Sequence, residues 1–196
     1  MSNPSPAHPQ RFTYADLLSW PAEERWELID GVAYDMSPVP SADHQRISMA
    51  LARQFANFLL DHPCEVFAAP FTVRLPRPSE DAMSTTTIVE PDLTVVCDRD
   101  KLEARGCVGA PTLVVEILSP ETGAKDLREK FHRYEQAGVP ECWVISPFEQ
   151  TLMVFTRDEH GCYGAPTVYG RDDEVPVGVL PGLTIKLTEV FARLNG

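Results

Sequence analysis

The sequence predicts an α/β fold of the mixed α+β kind, built on a mixed β-sheet and opening with an N-terminal β-hairpin. Strand-length apolar segments alternate with two helical segments along the chain. One strand–helix–strand unit spans residues 113–145, and such a unit implies a right-handed crossover between parallel strands. The 196 residues fit one domain, expected over residues 12–196, after a flexible tail at residues 1–11.

Capping residues, a turn signal and periodicity predict the elements of the first half. Thr13 and Ser41 are good helix N-caps, and Asp30-Gly31 is a strong hairpin turn signal. After Ser41, five apolar residues recur on one helical face: Ile47, Leu51, Phe55, Phe58 and Leu59. The predicted elements are a helix at 14–20, strands at 25–29 and 32–36, a helix from 41 to about 62, and strands at 64–68 and 72–75.

The second half predicts strands around one further helix. Residues 76–89 are polar and rich in proline, so a loop is expected there. A helix at 126–137 turns Leu127, Phe131 and Tyr134 toward the core and ends at Gly138. The remaining predicted elements are strands at 93–97, 113–118, 142–146, 152–156, 163–168 and 183–187, and a closing helix at 187–194.

Composition is typical of a soluble globular protein, with 43% hydrophobic and 23% charged residues. No apolar run approaches the roughly 20 residues of a membrane span, so no membrane partner is expected. The N-terminus lacks the basic start and apolar core of a secretory signal. Five cysteines without a CxxC pair favour free thiols in a reducing, cytoplasmic compartment.

The net charge of −12 limits the possible partners. It opposes nonspecific attraction to nucleic acid. A nucleic-acid partner would therefore have to be held by a local basic patch or by a bridging cation.

Two acidic residues stand at predicted strands. Glu116 lies inside an otherwise apolar strand, where an ionised carboxylate without a partner costs on the order of 3–5 kcal/mol. A metal ion, a basic side chain or a retained proton would compensate that cost. Asp92 stands at the head of the strand at 93–97. Two neighbouring strands that each present one acid would form a site for a hard divalent cation.

Several spaced segments carry a family resemblance. They are Trp26-Glu27-Leu28-Ile29-Asp30-Gly31, Met36-Ser37-Pro38, Pro91-Asp92-Leu93, the run at 114–120, the residues Asp126, Lys130 and Tyr134, and the run at 137–145. In this order they resemble the Uma family of candidate restriction endonucleases, within the PD-(D/E)XK nuclease superfamily. The resemblance covers about residues 12–195. It implies a restriction-endonuclease-like central mixed sheet flanked by helices, with a divalent metal at an acidic site.

The resemblance implies metal-assisted hydrolysis of DNA phosphodiester bonds. Asp92, Glu116 and the backbone carbonyl of Ile117 would hold Mg²⁺ or Mn²⁺. The superfamily's lysine normally lies two residues after the second acid, where this chain has Leu118. The family pattern maps the lysine instead onto Lys130, which would orient the attacking water or offset negative charge.

Two further residues enter through the same resemblance. Glu27, expected as a catalytic residue, would complete the metal site from the first hairpin, or would be a solvated strand residue. His44 resembles a histidine often present in the family's first helix, and it is interpreted either as a catalytic base or as a polar residue of the first helical turn.

The three central residues also have structural interpretations. Asp92 could bond backbone amides at the start of its strand, and Glu116 could form a buried ion pair. Lys130 could form a surface pair with Asp126, worth about 0.3–0.5 kcal/mol. Asp126 could instead cap its helix or orient Lys130.

DNA would have to meet local basic residues. The candidates are Arg46, Arg53, Lys125, Arg128, Lys130 and Arg133. Double-strand cleavage by so small a domain would require a homodimer or sequential nicking. Two other functions remain open: a dimeric interaction module with a nuclease-like fold that no longer cuts, and a metal-dependent hydrolase of a small phosphodiester.

Overall fold

The computed structural model describes residues 10–21, 23–36, 40–119 and 124–194, with the side chains of 124–127 outside the description. The helices are α1 (Tyr14–Leu17), α2 (Ala42–Leu59), α3 (Ala124–Ala137) and α4 (Leu187–Val190), with a 3-10 turn at Arg99–Lys101. The strands are β1 (Trp26–Ile29), β2 (Val32–Asp35), β3 (Glu65–Ala68), β4 (Val73–Arg74), β5 (Ile88–Val89), β6 (Leu93–Val96), β7 (Leu102–Glu103), β8 (Gly106–Val108), β9 (Leu113–Ile117), β10 (Glu141–Ser146), β11 (Thr151–Thr156), β12 (Thr167–Gly170), β13 (Glu174–Pro176) and β14 (Thr184–Lys186).

The central sheet has six strands in the order β12-β11-β10-β9-β6-β3. Strands β9 and β10 are parallel, and α3 connects them. The other neighbours in this sheet are antiparallel. The mixed sheet and its strand–helix–strand crossover, both predicted from the sequence, are therefore confirmed.

A second sheet carries the N-terminal hairpin, in the order β2-β1-β5-β4-β8-β7, and β13 pairs with β14 in a two-stranded ribbon. The central sheet is buried on both faces. One face packs against α2, α4 and the ribbon, and the other against α3 and the second sheet. Successive side chains of β9 alternate between these faces. Because Val114 faces the α3 side, Glu116 faces it too.

Local sequence signals set the predicted helix starts and the hairpin turn. Thr13 and Asp16 form a reciprocal capping box, and the Ser41 hydroxyl accepts the His44 N–H. Asp30 and Gly31 both have positive φ, 53° and 77°, as the tight turn between β1 and β2 requires. These features confirm the predicted caps and turn.

Short strands account for most differences from the predicted elements. Strand β5 lies inside the predicted loop at 76–89, the β7–β8 hairpin lies between two predicted strands, and β13 was not predicted. A strand of two or three residues has too few side chains to show alternation. Such strands depend on their neighbours, as in the parallel pairing of β8 with β4. The predicted tail falls largely on residues 1–9, outside the described residues.

The expectation of free thiols is wrong for two cysteines. Cys64 and Cys97 form a disulfide. The β3–β6 register pairs Glu65 with Val96, so the next residues outward, Cys64 and Cys97, face each other. Nothing in their spacing along the chain reveals that register. Within the described residues, no helix has both the length and the apolar character needed to cross a membrane.

Candidate active site

The two acidic residues predicted for the site lie on neighbouring strands, as predicted, and these strands are antiparallel. Leu93 of β6 pairs with Val115 of β9, and the same register places Asp92 opposite Glu116. The Asp92 Oδ2 atom accepts the Ile117 N–H at 2.7 Å. The Asp92 carboxylate thus provides one more hydrogen bond between β6 and β9, at the point where their backbone pairing ends.

Pro91 gives the Ile117 carbonyl a distinct environment. In a strand the N–H and C=O of one residue point to the same side, and the Ile117 N–H points toward β6. The β6–β9 register places Pro91 opposite Ile117, and proline has no N–H to donate. The ladder therefore leaves this carbonyl oxygen without a donor at the edge that Asp92 and Glu116 share.

Lys130 reaches this edge from α3. Its ammonium lies 2.7 Å from Glu27 Oε1 and 3.4 Å from Glu116 Oε1. The residue is only 8% exposed, so the interpretation as a surface pair with Asp126 is wrong. The Asp126 side chain itself lies outside the described residues. The structure thus brings the amine to the acid across the chain segment that separates β9 from α3.

Glu27 is buried, with 3% of its surface exposed, so the interpretation as a solvated strand residue is wrong. Its Oε1 atom pairs with Lys130 and also accepts the Glu90 N–H at 2.7 Å. Glu90 in turn forms an ion pair with Arg25 at 2.5 Å. The Glu27 Oε1 atom therefore binds both the Lys130 ammonium and the backbone two residues before Asp92.

Tyr134 belongs to this cluster. The sequence indicated a core position for it, and the family resemblance includes it beside Lys130 without assigning it a role. Its hydroxyl donates to Glu116 Oε1 at 2.5 Å, and the residue is fully buried. It lies one helical turn after Lys130, so both side chains approach Glu116 from α3. The available signal was chemical: a tyrosine in a buried stripe needs a partner for its hydroxyl.

His44 approaches the cluster from α2, on the other side of Asp92. Its Nε2 atom lies 3.1 Å from Asp92 Oδ1, and the residue is buried. It occupies the first turn of α2, after the Ser41 cap. The first-turn position is as interpreted from the sequence, and the contact with Asp92 adds to it.

Burial and mutual repulsion set the ionisation of the cluster. Burial raises the pKa of Glu116 to about 7, and the charges of Asp92 and Glu27 add to this rise. Lys130 and the Tyr134 hydroxyl act in the opposite direction. Burial also raises the pKa of Glu27. For Lys130, burial lowers the pKa, but the neighbouring carboxylates outweigh it and raise the pKa, so the amine stays charged.

Two carboxyl groups therefore contact one ammonium ion, and Asp92 lies on the neighbouring strand beside them. Across the part of the chain that the structure describes, no three His, Cys, Asp or Glu side chains are grouped to hold a metal ion. A cation at this edge would draw on Asp92, Glu116, the Ile117 carbonyl and water. These are hard oxygen ligands of the kind that Mg²⁺ prefers.

The predicted basic patch is largely neutralised. Arg46 pairs with Asp43 at 2.6 Å, Arg53 pairs with Glu189 at 2.7 Å, and Arg133 pairs with Asp30. Lys130 is buried, as described above. Arg128 is exposed, and the Lys125 side chain lies outside the described residues.

A solved structure shares this fold. It is titled as a "putative nuclease belonging to DUF820" from Anabaena variabilis, with a TM-score of 0.73 and 21% identity. The match covers 92% of this chain and 98% of that one. The protein described here is thus of the same fold class, a mixed sheet flanked by helices.

The chain belongs to the Uma2 family, whose model, described as "Putative restriction endonuclease", matches residues 14–188. The predicted family is therefore confirmed. An uncharacterized Synechocystis protein, slr1290, is 31% identical over 133 residues. That alignment spans 66% of each chain, just under two thirds of the relative's length.

Proposed function

We propose that the protein is a divalent-metal-dependent endonuclease that hydrolyses DNA phosphodiester bonds. The observation that carries this proposal is the placement of the Lys130 amine against Glu116, which stands opposite Asp92 on the neighbouring strand. Two acids and one amine at the shared edge of two strands match the site that the family resemblance implies, and the family model is described as a restriction endonuclease.

Asp92, Glu116 and the Ile117 carbonyl would hold Mg²⁺ or Mn²⁺. When bound, such an ion lowers the pKa of a ligated water and stabilises charge on the phosphate. Lys130 supplies a permanent positive charge, which orients the attacking water and offsets negative charge on the phosphate. Both acids must be ionised to bind the ion, and Lys130 favours the ionised form of Glu116.

Glu27 is assigned to this machinery through Lys130. The shortest contact of the ammonium is to Glu27, so this carboxylate fixes where the amine lies above Glu116. Glu27 also holds the Glu90 amide, two residues before Asp92. Through these two contacts Glu27 positions both Lys130 and the backbone before Asp92. This positioning role differs from the catalytic role that was expected from the sequence.

DNA is the proposed substrate, bound weakly in the absence of metal. Arg46, Arg53 and Arg133 already pair with acidic side chains. The net charge of −12 adds general repulsion. Cleavage of both strands by one such site requires either two copies or sequential nicking, and a homodimer is part of the proposal.

The test is plasmid cleavage by the purified full chain with Mg²⁺, with Mn²⁺, or with a chelator. We expect metal-dependent nicking or linearisation by the wild type, and none by Asp92→Asn or Glu116→Gln. Glu159→Gln is a matched control because this carboxylate is exposed and remote from the cluster in sequence. Equal cleavage in the presence of chelator, or by Glu116→Gln, would disprove the proposal.

A non-cutting interaction module is the second candidate. It is favoured by the Lys130 ammonium, which already compensates part of the acidic charge, and by the absence of a three-residue metal cluster among the described residues. This candidate predicts no Mn²⁺ binding by calorimetry and no cleavage under any condition. Activity on a model phosphodiester without activity on DNA would instead indicate a small-substrate hydrolase.

A further inference from the structure

We infer that His44 is a positioning residue, which fixes the Asp92 carboxylate in its metal-binding orientation through the close contact of its Nε2 atom with Oδ1. The inference rests on the proposed function, because it concerns the same site. It assigns a role to α2, an element that contributes none of the proposed metal ligands.

Both oxygens of Asp92 have a nitrogen close by, and the two nitrogens come from different elements. Oδ2 accepts the Ile117 N–H of β9 at 2.7 Å, and Oδ1 lies 3.1 Å from Nε2 of His44. Two such contacts on opposite oxygens restrict rotation of the carboxylate. Each oxygen has a further lone pair, so a cation can still be bound. Partners that orient a ligand in this way commonly tune metal affinity.

The helix start holds the imidazole in place. Ser41 caps α2, and His44 follows in the first turn with its side chain 10% exposed. An ionised carboxylate can only accept a hydrogen bond, so the inferred role requires the ring proton on Nε2. His44 would then act through Asp92, the ligand that it contacts.

The second ring nitrogen supports this assignment. Within the described part of the chain, Nδ1 of His44 is buried and has no hydrogen-bond partner. A buried polar atom without a partner is unfavourable. A histidine serving only the helix start would gain from bonding both nitrogens. Within the described residues, the polar contact of the ring is the one between Nε2 and Asp92 Oδ1.

Three substitutions separate positioning from general structural support. Glutamine places its amide nitrogen near the Nε2 position, whereas asparagine, one methylene shorter, does not reach Asp92. Leucine fills similar space without a donor. We therefore compare His44→Gln, His44→Asn and His44→Leu by Mn²⁺ calorimetry, plasmid cleavage and metal-free melting. Asp92→Asn and Glu116→Gln serve as references for loss of the metal site.

We expect the asparagine and leucine variants to bind Mn²⁺ about 10–100-fold more weakly than wild type, with cleavage falling in parallel. The glutamine variant should recover most of the affinity. Wild-type affinity in His44→Asn, or a His44→Gln variant as weak as His44→Asn, would overturn the inference. If His44→Leu does not fold, the two amide variants still decide the question.

Failure of the proposed function would look different. If the wild type binds no Mn²⁺, or if Asp92→Asn and Glu116→Gln bind as wild type does, the metal site itself is refuted, and the role of His44 falls with it. If the two references lose binding while all three His44 variants keep it, only the role of His44 is refuted.

Discussion

Lys130 lies between Glu27 and Glu116 with its ammonium nearly out of solvent, and this changes the expected effect of its removal. Lys130→Met would leave two buried carboxyl groups without their cation. Breaking a buried pair in this way costs about 3–5 kcal/mol, well above the cost of losing a surface pair. Cleavage should also fall about 100-fold or more, as for other electrostatic groups.

The stability loss in Lys130→Met should depend on pH. At pH 8 the two carboxyl groups repel each other, whereas at pH 5 protons can replace the missing cation. Urea unfolding at both values measures the difference, and Lys186→Met, at an exposed position of β14, is the control. A loss below about 1 kcal/mol at pH 8 would show that the amine is not needed to compensate the buried acids.

Glu116 gives a second pH-dependent prediction, for the metal-free protein. Burial raises its pKa from the ordinary 4.5 to about 7, so the folded state binds a proton more tightly than the unfolded state does. The stability associated with this proton is fully present below pH 4.5 and is lost as the pH rises through about 7. A shift of this size corresponds to about 3 kcal/mol.

Glu116→Gln removes this titration. We expect the variant to match wild type near pH 4.5 and to become more stable than wild type, by up to about 3 kcal/mol, at pH 8. Chemical unfolding across this range without metal provides the measurement, and the exposed Glu159→Gln should follow wild type throughout. A variant that is less stable than wild type at pH 8 would indicate that the Lys130–Glu116 pair outweighs burial.

At the scale of elements, α3 carries two contacts to one carboxylate. Tyr134→Phe removes the hydroxyl that donates to Glu116, and hydrogen bonds to charged groups contribute about 1.5–3 kcal/mol. Tyr163→Phe is a matched control, because its hydroxyl donates to the neutral Val139 carbonyl, where about 0.5–1.5 kcal/mol is expected. Urea unfolding at pH 8 should show the larger loss for Tyr134→Phe. Equal losses would mean that the Glu116 contact carries no charge assistance.

Elements with strong local signals were predictable from the sequence. The capped helix α2, with its apolar face, and the Asp30-Gly31 turn required no tertiary information. The short strands β5, β7 and β8 exist because neighbouring strands pair with them, which local periodicity cannot indicate. The Cys64–Cys97 disulfide was missed for the same reason, since it follows from the register of β3 against β6.

At the scale of the whole molecule, charge limits how DNA can bind. Each phosphate contact contributes about 0.9 to the slope of log affinity against log salt. Because most candidate arginines are paired with acids, we expect a shallow slope of about 2 or less in magnitude. Fluorescence anisotropy with a duplex, with and without Ca²⁺, measures it. Ca²⁺ takes similar oxygen ligands and should strengthen binding by wild type but not by Asp92→Asn. Tight, steeply salt-dependent binding without metal would contradict this expectation.

A residue of the cluster could be predicted from the sequence when its type was unusual for its position, such as a charged residue within an apolar strand. Glu116 inside a buried strand is such a case, and the family resemblance supplied Lys130 and Glu27. The resemblance named Tyr134 and His44, but the contacts of Tyr134 with Glu116 and of His44 with Asp92 were not predicted, because a buried tyrosine and a histidine near a helix start are ordinary in sequence. Their partners are set by how α3 and α2 pack on the central sheet, which one sequence does not specify.

The separation of the amine from the acids also affects how related proteins can be recognised. Where acid and lysine share one strand, pleat geometry fixes their interval, and any insertion between them destroys the site. Here the chain between Ile117 and Ala124 joins a strand to a helix, so its length can vary while Lys130 still reaches Glu116. Relatives could thus keep the same chemistry with a different number of intervening residues. A search for a fixed interval between the acid and the lysine would overlook such relatives. A search for a strand acid, followed by a helix that carries a lysine one turn before a buried tyrosine, would find them.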